Sequence, residues 1–465
     1  MKRTAVLGAV VSLVVLGGCT SDAQPVPRPD EQLPMPTQPP PWVTETLPAE
    51  PTTRPMVLAT NVRRPPLSLP KAVAEWVIQG RVDNWDQLGQ PSAPLTVVDR
   101  SDGLARLPMN SIAVGVADAM VPAVRVVSVD DVNPLLRPDD YPIQTQGLAH
   151  PPITTLTVVG DIMLGREVGD RGADLGDPSY ALRPMAQRLA SADITVGNLE
   201  STVSADGTPT QGGDSFHADP LVRAGLRDAG FDAVGLANNH LGDYGDRALV
   251  QTVSRLRSHG LATFGGGRDL AQASEPVVVT RHGVRFGFLG FNAIGETPEA
   301  GRGQPGALSV SMPPRTGPLD TAELDRVLDD VRRLAGRVDV VTVVVHWGTQ
   351  YTHRPEPVQG RVARALVGAG ADLVVGGHPH WVQGASMIGD ALLVNSLGNF
   401  VFDMDTPETN EGVVLEATFW GDRLVATDFV PYRIGIDRAP RPVPWSRASS
   451  ILDPFWEFSD LGASS

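Results

Sequence analysis

The chain has 465 residues, a formal net charge of −15, 5% aromatic residues, 48 glycines and 42 prolines. That length admits two or three domains with a sizeable core. The acidic balance lacks the basic stripe that broad nucleic-acid or anionic-membrane binding needs, so no nucleic-acid partner is expected. With Cys19 as the only cysteine, no intramolecular disulfide can form.

Residues 1–19 read as a signal segment. Met1-Lys2-Arg3 is basic, and the apolar run from Ala5 to Leu16 is too short to span a bilayer. Leu16-Gly17-Gly18-Cys19 resembles a bacterial lipobox, which implies a lipidated Cys19 that anchors the protein to the outer face of the cell membrane. Residues 20–66 read as a Pro-rich disordered tether: fourteen prolines fall between Pro25 and Pro70, and such a composition cannot bury a core.

Residues 67–150 are globular in pattern and predict a small α/β lobe. Ala72–Ile78 predicts an amphipathic helix closing at Gly80, and strand-like runs follow at Leu95–Val98 and Ala123–Val127. The segment Ile78–Gly89, with Asn84-Trp85 and Leu88-Gly89, resembles a piece of phosphate-type periplasmic substrate-binding proteins. About 80 residues make at most a fragment of such a protein, so no ligand is read from it.

Residues 151–436 alternate strands and helices, which predicts a mainly parallel or mixed sheet flanked by helices. Predicted strands are Leu156–Gly160, Ile194–Gly197, Ala233–Leu236, Val284–Gly290, Val338–His346, Leu373–Gly376 and Leu392–Asn395. Predicted helices are Leu221–Ala229, Arg247–His259, Asp320–Leu334 and Gln359–Val367. Gly412–Phe419 and Arg423–Val430, split by Gly421-Asp422, read as a hairpin. Residues 437–465 read as a loose tail.

Polar residues recur where these strands end, and there α/β sheets bind their ligands. The groups are Asp161 in Gly160–Arg166, Asn198 and Glu200, Asn239, His240 and Asp243, His346, His378 with His380, and Asn395–Phe400. Gly376-Gly377 lets the backbone turn without steric cost, and Pro379 is expected to hold the two imidazoles apart in an extended conformation. Each group alone has a plainer reading as a turn, a cap or a satisfied core histidine. Their convergence favours one shared site. Asp, Glu, Asn and His without thiolate suit one or two divalent ions of Mn, Fe or Zn. A pair of ions would clamp an anionic oxygen and activate water. Neither a P-loop nor a Gly-x-Ser-x-Gly elbow occurs.

In this order, Gly-Asp-x-x-x-Gly-Arg, Gly-Asn-Leu-Glu, Asn-Asn-His-x-x-Asp, His-Trp-Gly, Gly-His-x-His and Asn-Ser-Leu-Gly-Asn-Phe resemble the CapA-type poly-γ-glutamate capsule biosynthesis proteins. That family is similar to calcineurin-like metallophosphoesterases. The resemblance, over roughly residues 153–403, implies a four-layered α/β/β/α sandwich, here with the small N-terminal lobe added. It implies Asp161, Asn198 or Glu200, Asn239, His346, His378 and His380 as metal ligands. It also implies that His240 assists the leaving group, with Asp243 orienting it. Arg166 and Asn399, from the first and last motifs, stand as substrate-binding candidates. Two positions depart from the pattern: Met163 stands for a motif histidine and Asn198 for a bridging aspartate. Either Glu200 compensates or one metal position is weak or empty. The function implied is a part in making, exporting or attaching an anionic envelope polymer beside ligase and export proteins. The alternatives are a phosphoesterase acting on an extracellular phosphorylated small molecule and a non-catalytic scaffold.

Overall fold

The structure is a computed structural model describing residues 52–99 and 103–462. Cys19, the signal segment and most of the Pro-rich stretch lie outside the described residues.

Two sheets face each other. The first runs Ala262–Phe264, Ala233–Gly235, Ile194–Leu199, Ile153–Ile162, Glu411–Trp420, Arg423–Ile434, Pro440–Pro442. Its first four strands are parallel, and the long hairpin of Glu411–Trp420 and Arg423–Ile434 joins antiparallel. The second runs Val277–Arg281, Val284–Asn292, Val340–His346, Leu373–Gly377, Ala391–Leu397, Val382–Ile388, with four parallel strands between antiparallel edges.

Alternation along the strands makes the layers. Leu156, Val158 and Val196 face Phe286, Phe288, Val340 and Val375 across the inter-sheet core. Val159 and Val234 point outward beneath helices Arg183–Ala190 and Gly245–Ser258. Leu289, Val343 and Val374 point outward beneath Thr321–Ala335 and Pro357–Gly368. The result is an α/β/β/α sandwich.

One irregularity positions the site. The register of Ile153–Ile162 slips between Val159 and Asp161, so the parity of the strand reverses. Ile162 joins Val159 on the outer face, and Asp161 turns into the gap between the sheets. A Cβ on Gly160 would lie 1.8 Å from the Gly398 carbonyl oxygen, so only glycine fits where the two segments touch.

The ends of the fold differ from the sequence reading. The expected tether gives way by residue 52 to a strand, Thr52–Asn61, between Ser111–Val116 and Val124–Val126 in the lobe's sheet. The expected tail forms helix Ser449–Glu457, which buries Ile451, Leu452, Phe455 and Trp456 in the inter-sheet core. Burying four such side chains stabilises the fold by several kcal/mol, at about 1.5–3 kcal/mol each. The lobe packs against the sandwich. Its Leu135 carbonyl accepts from the Trp420 indole at 2.9 Å, Arg125 pairs with Asp428 at 2.8 Å, and Val57, Met120 and Val124 share a core with Trp420 and Val425. Within it, Asn84 caps a short helical turn and Trp85 is buried under the Arg64 guanidinium, so those residues hold structure.

Candidate metal centre

The parallel registers align the chemistry. Asp161 lies beside both Asn198 and Asn399 on the first sheet, and His346 lies beside Gly377 on the second. Both sheets present these ends to one gap. Gly377 has no side chain for a reason of space: a Cβ there would stand 2.4 Å from Asp161 Oδ1. At Gly376 it would stand 2.0 Å from the Asn395 carbonyl oxygen. Close approach, not a turn, requires the glycine pair. The histidines that follow are not extended. His378 and His380 have φ of 92° and 59°, left-handed values that bring the two rings to 5.7 Å from each other. Such backbone costs of order 1–3 kcal/mol per residue and persists where surrounding contacts over-determine it.

Asp161, Glu200 and His346 each bring a ligand atom within 4.8 Å of the others, and all three are buried. Glu200 Oε1 is 3.7 Å from His346 Nε2 and 3.7 Å from His240 Nε2. Neither Glu200 oxygen and neither His378 ring nitrogen has a hydrogen-bond partner. Buried polar atoms are nearly always paired, because an orphan costs its full desolvation. Four orphaned polar atoms in one gap, the two Glu200 oxygens and one His378 nitrogen among them able to give a lone pair, fit a divalent ion as the missing partner. Protonation states agree. Burial, then the charge of Asp161, holds the Glu200 carboxyl well above its ordinary range. Burial pushes Asp161 up to about 6 and His380 down to about 4, and drives His346 and His378 well below their ordinary values. The imidazoles are therefore neutral, the form that ligates metal.

Each ligand candidate is held from behind. Asn399 Oδ1 faces His380 Nδ1 at 2.8 Å, and Asn399 Nδ2 donates to the Thr409 carbonyl at 2.9 Å. That makes Asn399 Oδ1 the acceptor and puts the His380 lone pair on Nε2, where the Gln350 amide nitrogen lies 3.4 Å away. Asn399 is fully buried and supports His380 instead of lining an open substrate surface. Asn239 Oδ1 faces His346 Nε2 at 2.8 Å while its Nδ2 donates to Glu296 at 2.7 Å. Asn198 presents its nitrogen inward: Nδ2 donates to Asp161 Oδ1 at 2.8 Å. An amide nitrogen has no lone pair to give, so in this arrangement Asn198 does not ligate metal as expected. The Met163 sulfur accepts from Gly165 N–H and packs in the outer core, away from the gap.

His240 sits beside the cluster with Nδ1 at 2.8 Å from Asp243 Oδ2. Asp243 is itself fixed by the Phe216 N–H at 2.6 Å and the Gln211 amide at 2.5 Å. Phe216 stacks on His240 at 3.7 Å and carries the Arg166 guanidinium on its ring at 4.6 Å. Arg166 is spent on Asp403, through Nε at 3.0 Å and a second contact through its terminal nitrogen, which leaves it only partly exposed at the rim. The sequence reading missed Asn238, Glu296 and Asp403. Asn238 stood inside a motif already singled out. Glu296, in a left-handed conformation at φ 67°, follows no pattern that sequence could flag. Gly266-Gly267 is a buried two-residue strand paired with Gly306-Ala307.

The model of the bacterial capsule synthesis protein family PGA_cap matches residues 155–404. The capsule biosynthesis protein CapA of Bacillus anthracis is 32% identical over 295 residues, which span 62% of this chain and 69% of that protein. The PGA biosynthesis protein CapA of Bacillus subtilis (strain 168) is 28% identical over 268 residues, spanning 57% of this chain and 67% of that protein. A probable polyglutamine synthesis accessory protein of Mycobacterium tuberculosis is 28% identical over 273 residues, spanning 50% of this chain and 70% of its own length. The match covers more than half of the sequence and takes in every residue of the Asp161–His380 cluster, so the chain belongs to the bacterial capsule synthesis protein family.

Proposed function

We propose that this protein takes part in making or attaching an anionic, glutamate-based capsule polymer at the outer face of the cell membrane, through a divalent-metal centre built on Asp161, Glu200, His346, His378 and His380. The single observation that carries the reading is the buried, partnerless donor set of Glu200 and His378 inside the family-matched region. Such an ion would polarise an anionic oxygen and make bound water a stronger nucleophile. The chain's own residues supply the remainder. Asp243 accepts the Nδ1–H of His240 and so points Nε2 at the cluster, where the ring, in its imidazolium form, would give the Nε2 proton to a departing oxygen and become neutral. Phe216 fixes the plane of that ring and carries the Arg166 guanidinium, whose charge is paired with Asp403. Cys19 is the proposed lipid anchor, with polymer ligase and export proteins as neighbours in the membrane.

The test is genetic and chemical together. Cells lacking the gene, complemented with wild type or with His346→Ala/His378→Ala, are assayed for surface-bound polyglutamate after acid hydrolysis. Wild type restores the polymer and the double variant does not. Equal restoration by both ends the metal-dependent reading. Labelled palmitate entering the wild type and not Cys19→Ala supports the anchor, and equal labelling refutes it. A second reading, phosphoester hydrolysis, is favoured by the His240–Asp243 pair. Turnover of an aryl phosphate by the metal-loaded protein, lost in His240→Ala, distinguishes it.

A further inference from the structure

The orientation of the Asn198 amide decides how many ions the centre can take. Oxygen and nitrogen of an amide are told apart by their partners, and here the chain of partners starts at a backbone group. The His240 N–H can only donate, and it lies 3.0 Å from one end of the Asn238 amide, which is therefore the oxygen. The other end is Nδ2, and it faces the Leu199 carbonyl at 2.9 Å, which can only accept. Its second hydrogen points to Asn198 at 3.0 Å, so the Asn198 atom there is Oδ1. Asn198 Nδ2 is thereby turned inward, 2.8 Å from Asp161 Oδ1 and 3.2 Å from His346 Nδ1. Two hydrogens meet two acceptors. All six residues are buried, so water cannot compete for these bonds.

A cation between Asp161 and His346 would face the positive ends of two N–H bonds where it needs an electron pair. We propose that the Asn198 amide takes the place of one cation, strapping Asp161 to His346, and that the centre holds a single divalent ion drawn to the unpartnered atoms of Glu200 and His378. Asn238 is then a positioning residue: it touches no ion and sets which atom of Asn198 faces inward. The inference rests on the metal reading given above.

The experiment counts ions. Wild type, Asn198→Asp and Asn238→Asp are stripped with chelator, equilibrated with Mn²⁺ and analysed for metal per chain, with low-temperature EPR on the same samples. Asn198→Asp keeps the side-chain shape, and Asn238 Nδ2 can donate to a carboxylate as readily as to an amide oxygen. The variant therefore turns a negative oxygen inward and should bind about two ions where wild type binds about one. Its EPR signal should change from that of an isolated ion to that of an exchange-coupled pair, as for metals roughly 3.5–4 Å apart. Asn238→Asp can accept but not donate, so it should turn the Asn198 amide over and raise binding of a second ion while leaving Asn198 in place. It decides the matter if Asn198→Asp does not fold. Two ions in wild type, or one ion in both folded variants, overturns this inference and leaves the metal reading intact. No ion in any of the three overturns both.

Discussion

Replacing Glu200 by glutamine separates what this carboxylate costs the fold from what it does for the ion. Glu200 is fully buried, and neither oxygen has a hydrogen-bond partner. An unsatisfied buried polar group costs about 1–3 kcal/mol, and a charged one more. Glutamine keeps the shape and removes the charge that Asp161 and Asp243 repel. Metal-free Glu200→Gln should therefore be more stable than metal-free wild type at pH 7.5, by about 1–3 kcal/mol. With an unfolding entropy near 2 cal/mol/K per residue, a unit of this size gains roughly 1 °C per kcal/mol, so the melting temperature rises by about 1–3 °C. The pH dependence gives a second check. The folded pKa of Glu200 lies well above its ordinary 4.5, so below that value both states are protonated and the residue contributes nothing. As pH rises above 4.5, the unfolded chain ionises while the folded one resists, and wild type loses stability relative to the variant. The advantage of Glu200→Gln should vanish near pH 4 and grow toward neutrality. Added Mn²⁺ reverses the order. At a hundred times its dissociation constant it stabilises wild type by about 2.7 kcal/mol, and the variant by much less. Differential scanning calorimetry with and without metal at pH 4 and pH 7.5 reads all of this. A variant less stable than wild type without metal, or one that keeps the whole metal-induced shift, refutes the reasoning.

Gly377→Ala would set a methyl group 2.4 Å from Asp161 Oδ1; it should lower the unfolding midpoint by the equivalent of about 1–3 kcal/mol, as overpacking does, and cut metal content measured by elemental analysis. His240→Ala should keep metal and lose aryl-phosphate turnover by a hundredfold or more, the usual worth of a positioned proton donor, and equal loss of metal would contradict that role. Phe455→Ala, in the C-terminal helix, should cost about 3–5 kcal/mol in urea unfolding, and a change below about 1 kcal/mol would mean that the helix is not part of the core. Isothermal titration of Mn²⁺ in buffers of different ionisation enthalpy should show proton release at pH 6 from the up-shifted carboxyls of Asp161 and Glu200 and not from His346 or His378, whose burial keeps them neutral.

The strand–helix alternation and the residues at the strand ends were legible, because burial on both faces of parallel strands leaves apolar runs that stop where polar side chains begin. His346 closes Val340–His346, and the His378 pair follows Leu373–Gly377 directly. What escaped sequence reading depends on distant partners. Thr52–Asn61 is a strand because Ser111–Val116 and Val124–Val126 pair with it, while the prolines around it argue locally for a tether. The C-terminal helix shows only eight or nine residues of pattern broken by Pro454, and its meaning lies in the sheet it covers. The parity reversal at Gly160 and the inward nitrogen of Asn198 are set by Gly398 and Asn238, contacts with no sequence period.

The docking of the lobe also fixes a path for mechanical load. Trp420, which bonds the lobe's Leu135, pairs with Ile153 at the start of the strand whose other end carries Asp161. Eight residues at about 3.3 Å each put the two ends roughly 26 Å apart. Thr52, the first of the described residues, pairs with Gly147 in the lobe. A force applied at Thr52 is therefore borne by the lobe's hydrogen-bonded edge and by its seam with the Glu411–Trp420 hairpin. The Asp161–His380 cluster lies at the far end of that strand, so a load on the lobe meets the seam before it meets the cluster.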